Sequence, residues 1–212
     1  MPDGFYLAAI PEPQTILGLR LRPFSLGHVI LLHRVESAFI MGGVPDFTDL
    51  ALSVFICSQS YQETIKALDN PNLPEFMADW HNQLTGEDKW LVRLGIRKPV
   101  VIDYKAKANA FAEYLTTGSK IPQYSYTPND FKPLTCPPAQ MVKVTLQKEM
   151  GFSEAELLDR SWAWCLWDFV TLKALAGQVT MYEDGQIENA QAVGDAIAEM
   201  LKSGKLSKNQ RN

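Results

Sequence analysis

The sequence predicts a mainly α fold: a multi-helix bundle with one or two short strands near the N-terminus and a proline-rich surface strap. Three observations lead there. Apolar residues recur at three- and four-residue spacing along most of the chain. Helix-capping residues precede those runs, and glycine or proline closes them. Residues 119–138 alone break the pattern, with Pro122, Pro128, Pro133, Pro137 and Pro138 falling among Tyr124, Tyr126 and Phe131.

The elements follow in order. Leu17-Gly18-Leu19-Arg20-Leu21-Arg22 alternates apolar with small or basic residues, the period of a strand, and Pro23 stops it. Ser25 is placed to cap a helix bearing Leu26, Val29, Ile30, Leu32, His33 and Phe39, which Met41-Gly42-Gly43-Val44-Pro45 ends. Asp46 or Thr48 opens the next helix, carrying Leu50, Ala51, Val54, Phe55, Ile56 and Cys57. Ser60 and Glu63 form a capping box for a helix through Leu68. Helices are then expected over residues 74–84, 87–94 and 103–115. Through the strap, proline removes backbone donors and forbids helix, so an extended or polyproline-like path is expected, with its rings tucked against the protein. Pro138 suits the first turn of a helix closed by Gly151, and Ser153 and Glu156 make a second capping box. Asp159 is placed to cap a long helix over residues 160–176, and a final helix is expected over 187–201. These read as an N-terminal helical region (1–118), the strap (119–138), a C-terminal helical region (139–202) and a basic flexible tail (203–212), which can together form one domain.

Composition excludes several classes. Of 212 residues, 46% are apolar and 21% charged, a globular balance that rules out wholesale disorder. No apolar run approaches the length of a membrane helix, so no membrane partner is expected. The opening Met1-Pro2-Asp3-Gly4-Phe5-Tyr6 lacks the basic start of a secretory signal. Cys57, Cys136 and Cys165 are widely spaced and odd in number, which fits a reducing compartment. The formal net charge of −4 points to no partner class.

Chemical motifs are sparse. No phosphate-binding glycine loop, zinc-protease helix, nucleophile elbow or calcium loop occurs. His28 and His33 lie about 140° apart around a helix and cannot share a metal from one face. No metal, cofactor or catalytic residue is therefore assigned, and the expected protein is not an enzyme. A cysteine-dependent enzyme using Cys136 or Cys57 stays open as the weaker alternative, because nucleophile and base meet only in the fold.

Two patterns stand above that background. Lys89, Arg93 and Arg97 recur every four residues on one helical face. A solvated face is the simpler account, since the chain is acidic overall and no aromatics interleave, and nucleic acid is not the expected partner. The second is Ser161-Trp162-Ala163-Trp164-Cys165-Leu166-Trp167-Asp168-Phe169. At 100° per residue, Leu158, Trp162, Cys165, Leu166, Phe169, Leu172 and Ala176 share a core arc, with Lys173 obliged to reach outward from it. Trp164, Asp168, Thr171 and Leu175 form a row on the opposite, polar strip. That row is either covered by a second layer of the protein or is an anchor for a partner or second copy of the chain.

Leu19-Arg20-Leu21-Arg22-Pro23-Phe24-Ser25-Leu26-Gly27-His28 and Asp49-Leu50-Ala51-Leu52-Ser53-Val54-Phe55-Ile56-Cys57-Ser58 resemble stretches of tailed-phage and prophage structural-module proteins. The tryptophan-rich stretch is similar to helices of tail assembly chaperones. The resemblance implies a small, helical, non-enzymatic protein of the host cytoplasm or the virion. It implies other phage structural or assembly proteins as partners, with tail tube and tape measure proteins foremost, and homo-oligomers possible. A virion component such as a head–tail connector or tail protein is the alternative it carries. It assigns no residue a role.

Overall fold

The computed structural model describes residues 13–85, 101–126 and 136–182, together with Glu199. Among them the chain is mainly α, with nine helices and two antiparallel strand pairs. The first pair, β1 (Thr15–Ile16) and β2 (Leu19–Arg20), joins Ile16 to Leu19 and Thr15 to Arg20. Its turn is Leu17-Gly18, with φ of 49° and 78°. Two positive φ values in a two-residue loop match the right-handed twist of the flanking strands. The alternating stretch that reads as one strand from Leu17 is thus a hairpin whose second arm starts at Leu19. The Leu17 side chain is buried, and that burial holds a leucine in a conformation it otherwise avoids.

The first helix, α1 (Leu26–Arg34), is the centre of the bundle. Ser25 caps it, and His28, at the third helical position, closes the box in place of the usual acid. Leu26, Leu31 and Leu32 are fully buried, and Val29 nearly so. The helix does not run on to Phe39. Glu36 takes φ of 54°, which breaks the ladder, and Ser37 caps a separate short helix, α2 (Ala38–Met41). Asp46 then caps α3 (Phe47–Ser58), and Ser60 with Glu63 boxes α4 (Tyr61–Leu68). Next come α5 (Leu73–Thr85) and α6 (Tyr104–Gly118), the latter capped by Asp103.

The strap contains a strand. Gln123–Tyr126 forms β3, paired residue for residue with Val179–Tyr182 (β4). No proline falls in these four positions, so every N–H remains available for a ladder, and a polyproline path gives way to a sheet. Tyr124 packs half-buried against the core as expected of its ring. After Cys136 come α7 (Pro138–Met150), closed by left-handed Gly151, then α8 (Glu154–Asp159) and α9 (Trp162–Leu175). The last helix starts two residues later than expected, and Asp159 does not cap it. Its carboxylate instead accepts from the backbone N–H of Tyr61, at the start of α4, 98 residues away in sequence. The expected helices over 87–94 and 187–201 lie outside the described residues, Glu199 excepted, as do Phe131 and the basic tail.

One apolar cluster runs from Ile16 to Val179. Within it, α1 packs against α2, α3, α4, α7, α8 and α9. A short antiparallel bridge stitches the N-terminal and C-terminal segments together. The Leu26 N–H donates to Arg160 O at 3.1 Å, and the Trp162 N–H donates to Phe24 O at 2.7 Å. The approach of α8 to α1 is close enough to require glycine. A Cβ on Gly27 would sit 2.6 Å from the Leu158 carbonyl oxygen and 2.8 Å from Tyr61 Cδ2. Alanine raises intrinsic helix propensity by about 1 kcal/mol, but a backbone oxygen cannot move aside as a side chain does. Gly27→Ala is therefore expected to lower stability by about 1–3 kcal/mol. Urea unfolding measures it, and an unchanged or higher midpoint would show that α8 moves freely.

Candidate functional site

The row on α9 takes its shape from the residue just ahead of the helix. Arg160 ends α8, and its backbone is fixed on both sides: its N–H donates to Leu157 O and its carbonyl accepts from Leu26 N. From there the guanidinium reaches back over the start of α9. Its central carbon stands 4.7 Å from the Phe152 ring centroid and 5.7 Å from that of Trp164. One nitrogen, Nη2, donates to Asp168 Oδ2 at 2.6 Å. Both partners are mostly covered, with side chains 29% and 18% exposed, so this pair is screened less than a surface one. Trp164 is half-buried beneath a cation, and Asp168 is occupied by it.

Beyond that clasp the row opens. Thr171 is exposed, and Leu175 is 81% exposed at the last helical position. Trp164, Asp168, Thr171 and Leu175 do share one side of the helix. The half nearer the N-terminus is closed by Arg160, and the half nearer the C-terminus faces solvent. The opposite arc holds Trp162, Cys165 and Phe169 in the core as the periodicity predicts; Leu158 is buried too, but on α8, so it does not belong to this arc. Ala163 and Val170 are buried as well, so the core arc is wider than expected and rotated towards them. Leu166 and Leu172 are half-buried, and Ala176 is exposed because the helix has ended there. Lys173 is half-buried, with its ammonium 5.4 Å from the Phe169 ring centroid.

The clasp was not singled out from the sequence. Trp164 and Asp168 are four apart on α9, but Arg160 lies ahead of the helix in extended backbone, so helical spacing does not bring it to them. Lys89, Arg93 and Arg97 lie outside the described residues.

The thiols divide sharply. Cys57 and Cys165 have no exposed surface, and Cys136 is exposed. Burial pushes the Cys57 thiol far above its ordinary range and the Cys165 thiol up to about 12, so both stay protonated and unreactive at neutral pH. His28 is buried with a complete set of partners. Its Nδ1 accepts from the Ser25 N–H at 3.1 Å, and its Nε2 donates to Gln59 O at 2.9 Å. Those two bonds define the neutral tautomer with the proton on Nε2. Desolvation lowers its pKa from 6.5 to about 4, against the bond to Gln59. This imidazole joins α1 to the end of α3, and both its ring nitrogens are taken up by backbone groups. Among the described residues, no three His, Cys, Asp or Glu side chains are grouped to hold a metal ion. None of the described helices is long and apolar enough to cross a membrane. Comparison with protein-family models, curated proteins and solved structures finds no match to this chain.

Proposed function

We propose that this chain is a non-enzymatic assembly protein of a tailed-phage particle, acting in the host cytoplasm and holding another particle component on the outer row of α9. The observation that carries the reading is Leu175, a large apolar side chain 81% exposed in line with Thr171 and the Arg160–Trp164 clasp. Tryptophan and arginine are enriched at interface centres, and Leu175 extends that row with exposed apolar surface. The three stretches resembling phage structural-module proteins support the class of partner, with a tail tube or tape measure protein first. The burial of Cys57 and Cys165 weighs against a thiol enzyme using either of them.

Co-expression with the products of neighbouring reading frames, followed by pull-down, tests the reading. A tail tube or tape measure protein is expected to co-purify with the wild-type chain and to be lost from Leu175→Lys. Lysine at this helix end is favoured by the macrodipole, so the variant is expected to keep its stability. Recovery of the chain itself from purified virions would favour the alternative, a component that stays in the particle.

A further inference from the structure

The alternating Arg20 and Arg22 are not used by the α9 row. They line an open cleft of about 380 Å³ at the foot of the β1–β2 hairpin, with Pro13, Pro23 and Tyr114 among its walls. Residues two apart in extended chain point to the same side, about 6.7 Å apart along it. Leu21 between them is buried and anchors the segment. The backbone beneath is pinned at three points. The Leu21 N–H donates to Gln14 O at 2.8 Å, the Arg22 N–H donates to Cys57 O at 3.0 Å, and the Tyr114 hydroxyl donates to Arg22 O at 2.9 Å.

Among the described residues, no acid lines the cleft. Arg34 and Arg160 each pair with an aspartate, whereas neither Arg20 nor Arg22 forms an ion pair among the described residues. Glu63, which senses the Arg22 charge, is bound to Ser60 in its own capping box. Two guanidinium groups without an ion pair among the described residues, on a fixed backbone and lining a concave space, favour a planar or tetrahedral anion gripped by paired N–H forks. The volume lies in the range of small-molecule sites, and a lone inorganic anion would leave most of it to water. The proline rings and the tyrosine supply apolar wall for an organic body.

We propose that this cleft binds a phosphate ester of about nucleotide size, with Arg20 and Arg22 holding the phosphate and Pro13, Pro23 and Tyr114 flanking the organic part. The site shares no residue with the α9 row and stands or falls independently of the assembly reading.

Titration calorimetry on the full chain, with AMP, inorganic phosphate and a short capped glutamate peptide as probes, tests it. AMP is expected to bind saturably below about 1 mM and more tightly than inorganic phosphate. Arg20→Gln/Arg22→Gln is expected to weaken AMP at least about tenfold, while Arg34→Gln binds as wild type. Both arginines of the double variant are exposed, so its thermal midpoint should match that of the wild type. Absence of saturation by AMP up to about 10 mM would overturn the proposal. So would equal affinity in the double variant, or tighter binding of the glutamate peptide than of AMP.

Discussion

Trp162→Ala is expected to cost about 3–5 kcal/mol, a large fraction of the stability of a domain this size. Trp162 is 8% exposed and opens α9, and its N–H closes the bridge to Phe24. Removing the indole leaves a void where α9 meets the core, and the bridge restrains the backbone from collapsing into it. Trp164→Ala, two residues on, is expected to behave differently. The indole there is half-buried and stacked by Arg160, a contact worth about 1 kcal/mol at a partly exposed site. Arg160 retains Phe152 and Asp168 in the variant. Urea unfolding of the two variants should therefore give clearly separated midpoints. Equal losses, with no change in partner binding, would make Trp164 a core residue and end the case for an interface at that row.

Acid is expected to weaken the fold through His28. The folded side chain takes up its proton only near pH 4, the unfolded one near pH 6.5. Between those values the unfolded chain carries more protons, so stability falls as pH drops through the window and is intact above it. The gap corresponds to about 3 kcal/mol once both states are protonated. The groups around the ring push in opposite directions: burial and Arg22 oppose the cation, while the Gln59 carbonyl and Asp159 favour it. His28→Gln keeps an acceptor for the Ser25 N–H in the capping box but loses the bond to Gln59 O, so it should be less stable at pH 7 and should lose less on going from pH 7 to pH 4.5. Denaturant unfolding of both proteins at the two pH values isolates the difference, because other titrating groups are common to them. Parallel losses would show that His28 is not held neutral by burial.

Local signals located the helices well. Ser25, Asp46, Ser60 and Ser153 each accept from the backbone N–H they were expected to satisfy, and Asp103, read as the first residue of its helix, is instead its cap. Capping depends on residues within one turn, and such chemistry is visible in sequence. The misreadings share the opposite origin. Asp159 has the identity of a cap for α9, yet its partner is Tyr61 on another helix. The β3–β4 ladder joins segments more than fifty residues apart, and pairing at that range leaves no local periodicity beyond four unbroken residues. Leu17 adopts a left-handed turn that leucine does not advertise, held by burial of its side chain. On α9, apolar residues occupy nearly the whole circumference, so the core arc was legible and its width was not. The row of Trp164, Asp168, Thr171 and Leu175 was legible as geometry. The Arg160 clasp over its first half depends on how α8 turns into α9, which no spacing rule specifies.

The affinity of the co-purified partner for wild-type chain and for Leu175→Lys, compared by titration calorimetry, bears most directly on the claim that the outer row of α9 is a docking face. The account predicts at least about a tenfold loss in the variant, with an unchanged unfolding midpoint. Equal affinity for the two proteins would contradict it.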